Sequence, residues 1–156
     1  MLEIDIQDRQ VALDLDPARL VAAIEKVALD YGYQSGEVSV ILVDDPTIHA
    51  INRNHLQHDY PTDVISFLFT GEEGVLEGEL IVSTDTALRE ALAGGWGAVD
   101  EVLLYVIHGT LHLVGLDDQD AVSRQQMRQE EAKYLAYLQI ALAQIEAMAA
   151  DKDEAS

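Results

Sequence analysis

Val99-Asp-Glu-Val-Leu-Leu-Tyr-Val-Ile-His108-Gly109-Thr-Leu-His112-Leu-Val114-Gly115-Leu-Asp117-Asp118 is apolar on nearly every side up to Val114, then meets a glycine and turns acidic. A helix that is hydrophobic all round belongs in the middle of a fold, with other elements packed around it. The segment therefore predicts a buried central helix over 99–114, and that helix carries two histidines one turn apart. Residues four apart lie on one helix face with Cβ atoms roughly 5–6 Å apart. Both rings can then aim at a single ion at the Zn–N distance of about 2.0–2.1 Å. Burying two unpartnered imidazoles in so apolar a helix would cost roughly 2–7 kcal/mol per polar group, so the pair calls for a partner. Gly115 can take the left-handed conformation that ends a helix, which lets Asp118 return over the same face. Two imidazoles, one carboxylate and an open position for water make up a catalytic metal site.

Outward from this helix, the punctuation is regular. Gly94-Gly95-Trp96-Gly97 is a loop before it, and Thr84 to about Leu92 a short helix before that. Trp96 can stack a base or fold back onto the core; the second is expected. Val64–Phe69 and Gly78–Ser83 are β-type runs joined by an acidic, glycine-containing turn over 70–77. Towards the N-terminus, Leu2–Ile6 and Glu37–Val43 read as strands. Asp16-Pro17 and Asp45-Pro46 each offer an N-cap followed by proline at the first helical position. The first of these helices presents Leu20, Ile24, Val27 and Tyr31 on one face and stops at Gly32; the second carries Ile48, Ile51 and Leu56. Beyond the central helix, a last helix is expected from about Val122 to Ala149. The order strand-helix-strand-helix-strand-strand-helix-helix-helix implies an α+β fold: a small mixed four-stranded sheet covered by helices, with the metal site on the buried central one. Residues 1–150 are expected to form a single domain and 151–156 a frayed acidic tail.

Composition narrows the chemistry. The 156 residues contain no cysteine, so any metal must be held by His, Asp or Glu. No apolar run approaches the length needed to cross a bilayer. The N-terminus lacks a basic segment followed by an apolar one, because Glu3, Asp5 and Asp8 interrupt it; a cytoplasmic location is expected and a membrane is not. Nine Lys and Arg against 29 Asp and Glu give a formal charge of -20, which repels phosphate backbones and counts against casual nucleic-acid binding. Solubility, or a salty interior that screens the repulsion, accounts for such acidity.

The spacing His-x-x-x-His-x-x-Gly-x-x-Asp is also that of the metzincin proteases, whose third ligand is normally His. Those enzymes place a Glu directly after the first His as general base, and this chain has Gly109 there. The ligand spacing is present without the peptidase machinery.

His108, Gly109, Leu111, His112, Leu113, Gly115 and Asp117 match the signature His-Gly-x-Leu-His-Leu-x-Gly-Tyr-Asp-His. In this the chain resembles the YbeY family of bacterial metal-dependent endoribonucleases, also called rRNA maturation factors. Asn52 with Pro61-Thr62-Asp63-Val64-Ile65-Ser66-Phe67 is similar to the family's Pro-Thr-Asp-Val-Leu-Ser-Phe block, and Gly78-Glu79-Leu80-Ile81-Val82-Ser83 to its Gly-Asp-Ile-x-Ile-Ser strand. Met127 with Glu130 or Glu131 is similar to the closing helix. The blocks span about residues 37 to 140.

Two departures stand out. Asp118 occupies the place of the family's third metal-binding histidine, and Leu56 that of an arginine assigned to catalysis or RNA contact. Carboxylate oxygen is an accepted zinc ligand at about 2.0–2.2 Å. It makes the site harder and more anionic, which raises the pKa of bound water and widens tolerance for Mn or Fe. Leucine cannot stabilise charge on a phosphate, so Arg53, His55 or His58 is the nearby substitute, or else an ordinary polar surface residue. Asp117 orients a ligand imidazole or simply turns the chain, and Thr62-Asp63 is equally good turn chemistry.

The resemblance implies a zinc-dependent endoribonuclease selective for single-stranded RNA rather than DNA. It would act in ribosomal RNA maturation and ribosome quality control, and rRNA or the ribosome would be its partner. His108, His112 and Asp118 would hold one Zn2+, or another divalent metal, with Arg53 and His58 as further catalytic candidates. Attack could come from metal hydroxide or from the RNA's own 2′-hydroxyl. The alternatives are a ribosome-associated binding protein weakened in catalysis and a metal-dependent hydrolase of another substrate.

Overall fold

A computed structural model describes residues 1–56 and 63–138. In chain order the elements are β1 (Leu2–Asp8), α1 (Pro17–Asp30), β2 (Ser35–Val43), α2 (Asp45–Leu56), β3 (Val64–Glu72), β4 (Val75–Ser83), α3 (Thr84–Gly94), α4 (Ala98–Leu113) and α5 (Ala121–Tyr137). The strands form one four-stranded mixed sheet in the order β1-β2-β4-β3, as the sequence pattern implied. β2 pairs in parallel with β1 (Ile4↔Val38) and with β4 (Val40↔Leu80), while β3 lies antiparallel to β4 at the edge (Ile65↔Ile81).

The two faces of β2 are written in its alternation. Val38, Val40 and Leu42 enter the larger core with α1 and α4; Ile41 and Val43 face the smaller cluster, where Ile48 and Ile51 of α2 cover Ile65 and Ile81. α1 and α4 thus pack on one side of the sheet and α2 on the other. Every residue of α4 from Glu101 to Ile107 is buried, as its all-round apolar sequence requires. Trp96 folds back onto the core, and its indole N–H donates to the buried Glu101 carboxylate at 2.7 Å.

Two local expectations are corrected. The turn between the hairpin strands is two residues long, not eight: Glu73 and Gly74 have φ of 49° and 80°. Positive φ at both central positions is the geometry whose twist matches the flanking strands, so β3 and β4 run on to meet it. The cap of α2 is Asp44 rather than Asp45: the Thr47 N–H donates to the Asp44 carboxylate at 2.9 Å. Asp45 instead reaches across to α3, accepting from Ser83 Oγ at 2.6 Å and Thr86 Oγ1 at 2.7 Å and pairing with Arg89. Burial opposes ionisation of Asp45, but these three donors outweigh it and hold its carboxyl below the usual range. By contrast Asp16 caps α1 as expected, accepting from Ala18 N–H at 3.0 Å. The expected continuation of the last helix to Ala149, and the acidic tail over 151–156, lie outside the described residues.

Candidate metal centre

α4 lies close enough to the sheet to explain its own glycine. A Cβ on Gly109 would stand 2.9 Å from Leu80 Cδ2, 3.1 Å from Val64 Cγ2 and 3.2 Å from Ser66 Oγ. Ser66 Oγ also donates to the Gly109 carbonyl at 3.3 Å. The position where a metzincin carries its general base is therefore pressed against β3 and β4, with no room for a side chain.

α4 ends in a Schellman turn. The Leu116 N–H donates to the Leu111 carbonyl at 3.0 Å and the Gly115 N–H to the His112 carbonyl at 3.1 Å, with Gly115 at φ 109°. This turn carries out what the sequence predicted of Gly115, because it brings Asp118 back over the two imidazoles. Asp118 Oδ2 lies 3.5 Å from His108 Nε2, and Asp118 Oδ1 lies 3.7 Å from His112 Nε2. The two Nε2 atoms are 3.0 Å apart, and the rings stand edge-on at 81°. Ligand atoms at tetrahedral corners about 2.0–2.1 Å from zinc are about 3.3–3.4 Å from one another. The two Nε2 atoms and the Asp118 oxygen nearest each of them lie close to that spacing, and the three side chains could hold a metal ion. Their side-chain exposures rise from 18% for His108 through 29% for His112 to 38% for Asp118, so the centre opens to solvent on the Asp118 side.

The other ring nitrogens decide what the facing ones offer. His112 Nδ1 lies 3.0 Å from the Leu116 carbonyl oxygen, which can only accept, so Nδ1 carries the proton. His108 Nδ1 lies 2.6 Å from Glu131 Oε2 on α5, again an acceptor. Both Nε2 atoms are then lone pairs aimed at each other and at a carboxylate. Such a group of acceptors is relieved by a cation at its centre.

Glu131 was not singled out as a site residue by the sequence. Its signal is the stripe Met127, Glu131, Tyr134, Leu135, the face that α5 buries, in which one acid stands at helical spacing among apolar residues. Asp117, by contrast, is exposed and accepts from Gln119 N–H at 3.4 Å, so it turns the chain. Asp63 accepts from Val64 N–H at 2.8 Å. Arg53 is exposed on α2, on the opposite side of the sheet from α4, and is not drawn into the His-His-Asp cluster. His55 and Leu56 close α2, while His58, Pro61 and Thr62 lie outside the described residues.

A family model described as endoribonuclease YbeY matches residues 4–139. The chain belongs to the YbeY family. A relative from Rhodopirellula baltica named endoribonuclease YbeY is 45% identical over 137 residues, 85% of this chain and 70% of the relative. Another of that name, from Chloroherpeton thalassium, is 38% identical over 133 residues, 85% of this chain and 94% of the relative. A solution structure from Thermotoga maritima superposes with a TM-score of 0.62 at 28% identity, covering 85% of this chain and 86% of that one. Within this YbeY-family chain the central helix, its Schellman turn and Asp118 together build the candidate centre.

Proposed function

We propose that this YbeY-family chain is a metal-dependent endoribonuclease that cleaves single-stranded RNA. It acts in the cytoplasm on ribosomal RNA during maturation and quality control of the ribosome. One observation carries the metal dependence: His108 Nε2 and His112 Nε2 lie 3.0 Å apart, Asp118 Oδ2 is 3.5 Å from the first and Oδ1 3.7 Å from the second, and both imidazoles turn a lone pair inward. The curated relatives named endoribonuclease YbeY supply the reaction class. Zinc suits two imidazoles and a carboxylate, and Asp118 in place of a third imidazole also suits a harder ion.

His108, His112 and Asp118 would hold the ion, which when bound lowers the pKa of a coordinated water and polarises a phosphoryl oxygen. The protein's own part is positional. The helix spacing fixes the two rings, the Leu116 carbonyl keeps the proton of His112 on Nδ1, and the more exposed Asp118 marks the solvent side, where a phosphodiester can approach. Gly109 leaves no side chain at the position directly after the first histidine, where a metzincin carries its general base. Residues 1–150 would make up the catalytic domain; of the two cations the sequence offered, Arg53 stands on the far side of the sheet from the centre, which leaves His58 as the candidate to meet the phosphate.

The test is metal analysis together with cleavage of an unstructured RNA. Purified protein should carry one divalent ion per chain, lose cleavage after chelation and regain it with zinc. His112→Ala should lose both the ion and cleavage; full activity and full metal content in that variant would sink the proposal. Leu56 favours a second reading, a ribosome-associated binding protein without nuclease activity, because leucine stands where the resemblance places an arginine. Cleavage appearing only in a Leu56→Arg variant would decide for that reading.

A further inference from the structure

We infer that Glu131 is the positioning residue of the metal centre: it fixes His108 with its proton on Nδ1 and its lone pair on Nε2, and thereby ties the docking of α5 to metal binding. The inference rests on the reading above, in which His108, His112 and Asp118 hold the ion.

Glu131 is 3% exposed, on the face of α5 that meets the core. A buried carboxylate without partners is strongly unfavourable, and an apolar residue would serve packing better. Its two oxygens are used differently. Oε2 accepts a hydrogen bond from His108 Nδ1–H at 2.6 Å, and Oε1 faces the Arg128 guanidinium at 3.5 Å. A carboxylate only accepts, so it selects one of the two imidazole tautomers, the one whose free nitrogen points at His112 and Asp118.

The two histidines are therefore held unequally. His112 leans on the Leu116 carbonyl within its own turn, a neutral acceptor. His108 leans on a charged group from a helix 23 residues further along the chain. The negative charge of Glu131 sits one ring away from the ion and makes His108 the stronger donor of the pair. Because binding to the native state alone stabilises whatever completes the site, an ion at His108 should hold α5 in place through Glu131. α5 has other anchors to α1, with Tyr31 donating to Glu130 at 2.8 Å and Tyr134 donating to Asp30 at 2.9 Å, so a Glu131→Gln protein should still fold.

Full-length wild type, Glu131→Gln and Tyr134→Phe proteins, stripped of metal, are titrated with zinc against a chromophoric chelator. Glu131→Gln should bind about 10–100-fold more weakly. Tyr134→Phe removes one α5 anchor without touching His108 and should weaken binding far less than Glu131→Gln does. Two further readouts separate positioning from packing. Long-range proton–nitrogen NMR of the metal-free wild type, at mildly alkaline pH, should place the His108 proton on Nδ1, and Glu131→Gln should mix the tautomers. Zinc should slow amide exchange across residues 127–135 in wild type but not in Glu131→Gln. The inference is overturned by wild-type zinc affinity in Glu131→Gln, by the proton on His108 Nε2 in wild type, or by equal weakening in Tyr134→Phe. A wild-type protein that takes up no zinc overturns the metal reading itself; normal wild-type uptake with an unchanged Glu131→Gln variant overturns only the role of Glu131.

Discussion

Two glycines, neither of which has any chemistry of its own, set the geometry of the centre. Gly109 lets α4 sit on β3 and β4, and any Cβ there meets Leu80 and Val64 at about van der Waals limits or closer. Gly109→Ala should lower unfolding stability by about 1–3 kcal/mol, the usual cost of overpacking a filled core. Urea denaturation reads this directly, and an unchanged midpoint would contradict the close approach. Gly115 acts on geometry rather than space: a Cβ there meets nothing within 4 Å, but φ is 109°. Gly115→Ala should therefore cost on the order of 1–3 kcal/mol in backbone strain. Part of that strain is relieved by letting the turn relax, which moves Asp118. Zinc affinity should fall in Gly115→Ala while the two-histidine half-site survives, so the loss should be smaller than in His112→Ala.

At the scale of elements, the joint between α2 and α3 has a pH dependence of its own. Asp45 gathers Ser83, Thr86 and Arg89 and has a folded-state carboxyl pKa below its unfolded value. A group depressed in this way contributes stability that is fully present above the unfolded carboxylate pKa and is lost as pH falls through the folded one. Asp45→Asn should cost about 1–3 kcal/mol near neutral pH, the range for hydrogen bonds to a charged group. The gap between wild type and variant, measured by urea denaturation over a pH series, should close below the usual carboxylate range. A gap independent of pH would mean that the side chain acts by shape alone. This joint also sets where α2 begins, and hence where its last turn, with His55 and Leu56, comes to lie.

The whole molecule carries a formal charge of -20, and charges of one sign repel one another within a compact fold. Between about 0.01 M and 0.15 M salt the screening length falls from about 30 Å to about 8 Å. The melting temperature of the metal-free protein should rise over that range, as differential scanning calorimetry can record; a flat or falling curve would show that self-repulsion is not limiting. The same acidity bears on the proposed substrate. Association with RNA should improve with modest salt before it weakens, the reverse of a basic binding protein, whose affinity falls from the start as released counterions are held back.

The elements themselves were legible because their signals are local. The Val- and Ile-rich run Glu37–Val43 names a strand, the all-round apolar run names a buried helix, and Gly115 names the end of that helix. The pair His108 and His112, and the return of Asp118, follow from helical spacing and one turn, so the ligand set could be read from eleven consecutive positions. The cap of α2 was misplaced because two acids competed: Asp44 and Asp45 are both capable caps, and only the proximity of Ser83, Thr86 and Arg89 draws Asp45 away from its own helix. What spacing could not supply were contacts between parts of the chain far apart in sequence. Glu131 at His108, Leu80 and Val64 at Gly109, and the placing of Arg53 on the far side of the sheet depend on how helices pack across strands, which local periodicity does not encode. The sequence by itself determined which atoms could hold an ion, because one helix and its terminal turn bring them together. The tertiary structure alone decided which nitrogen of His108 faces that ion, because its proton goes where an acceptor from α5 is waiting, whereas His112 finds its acceptor within its own turn.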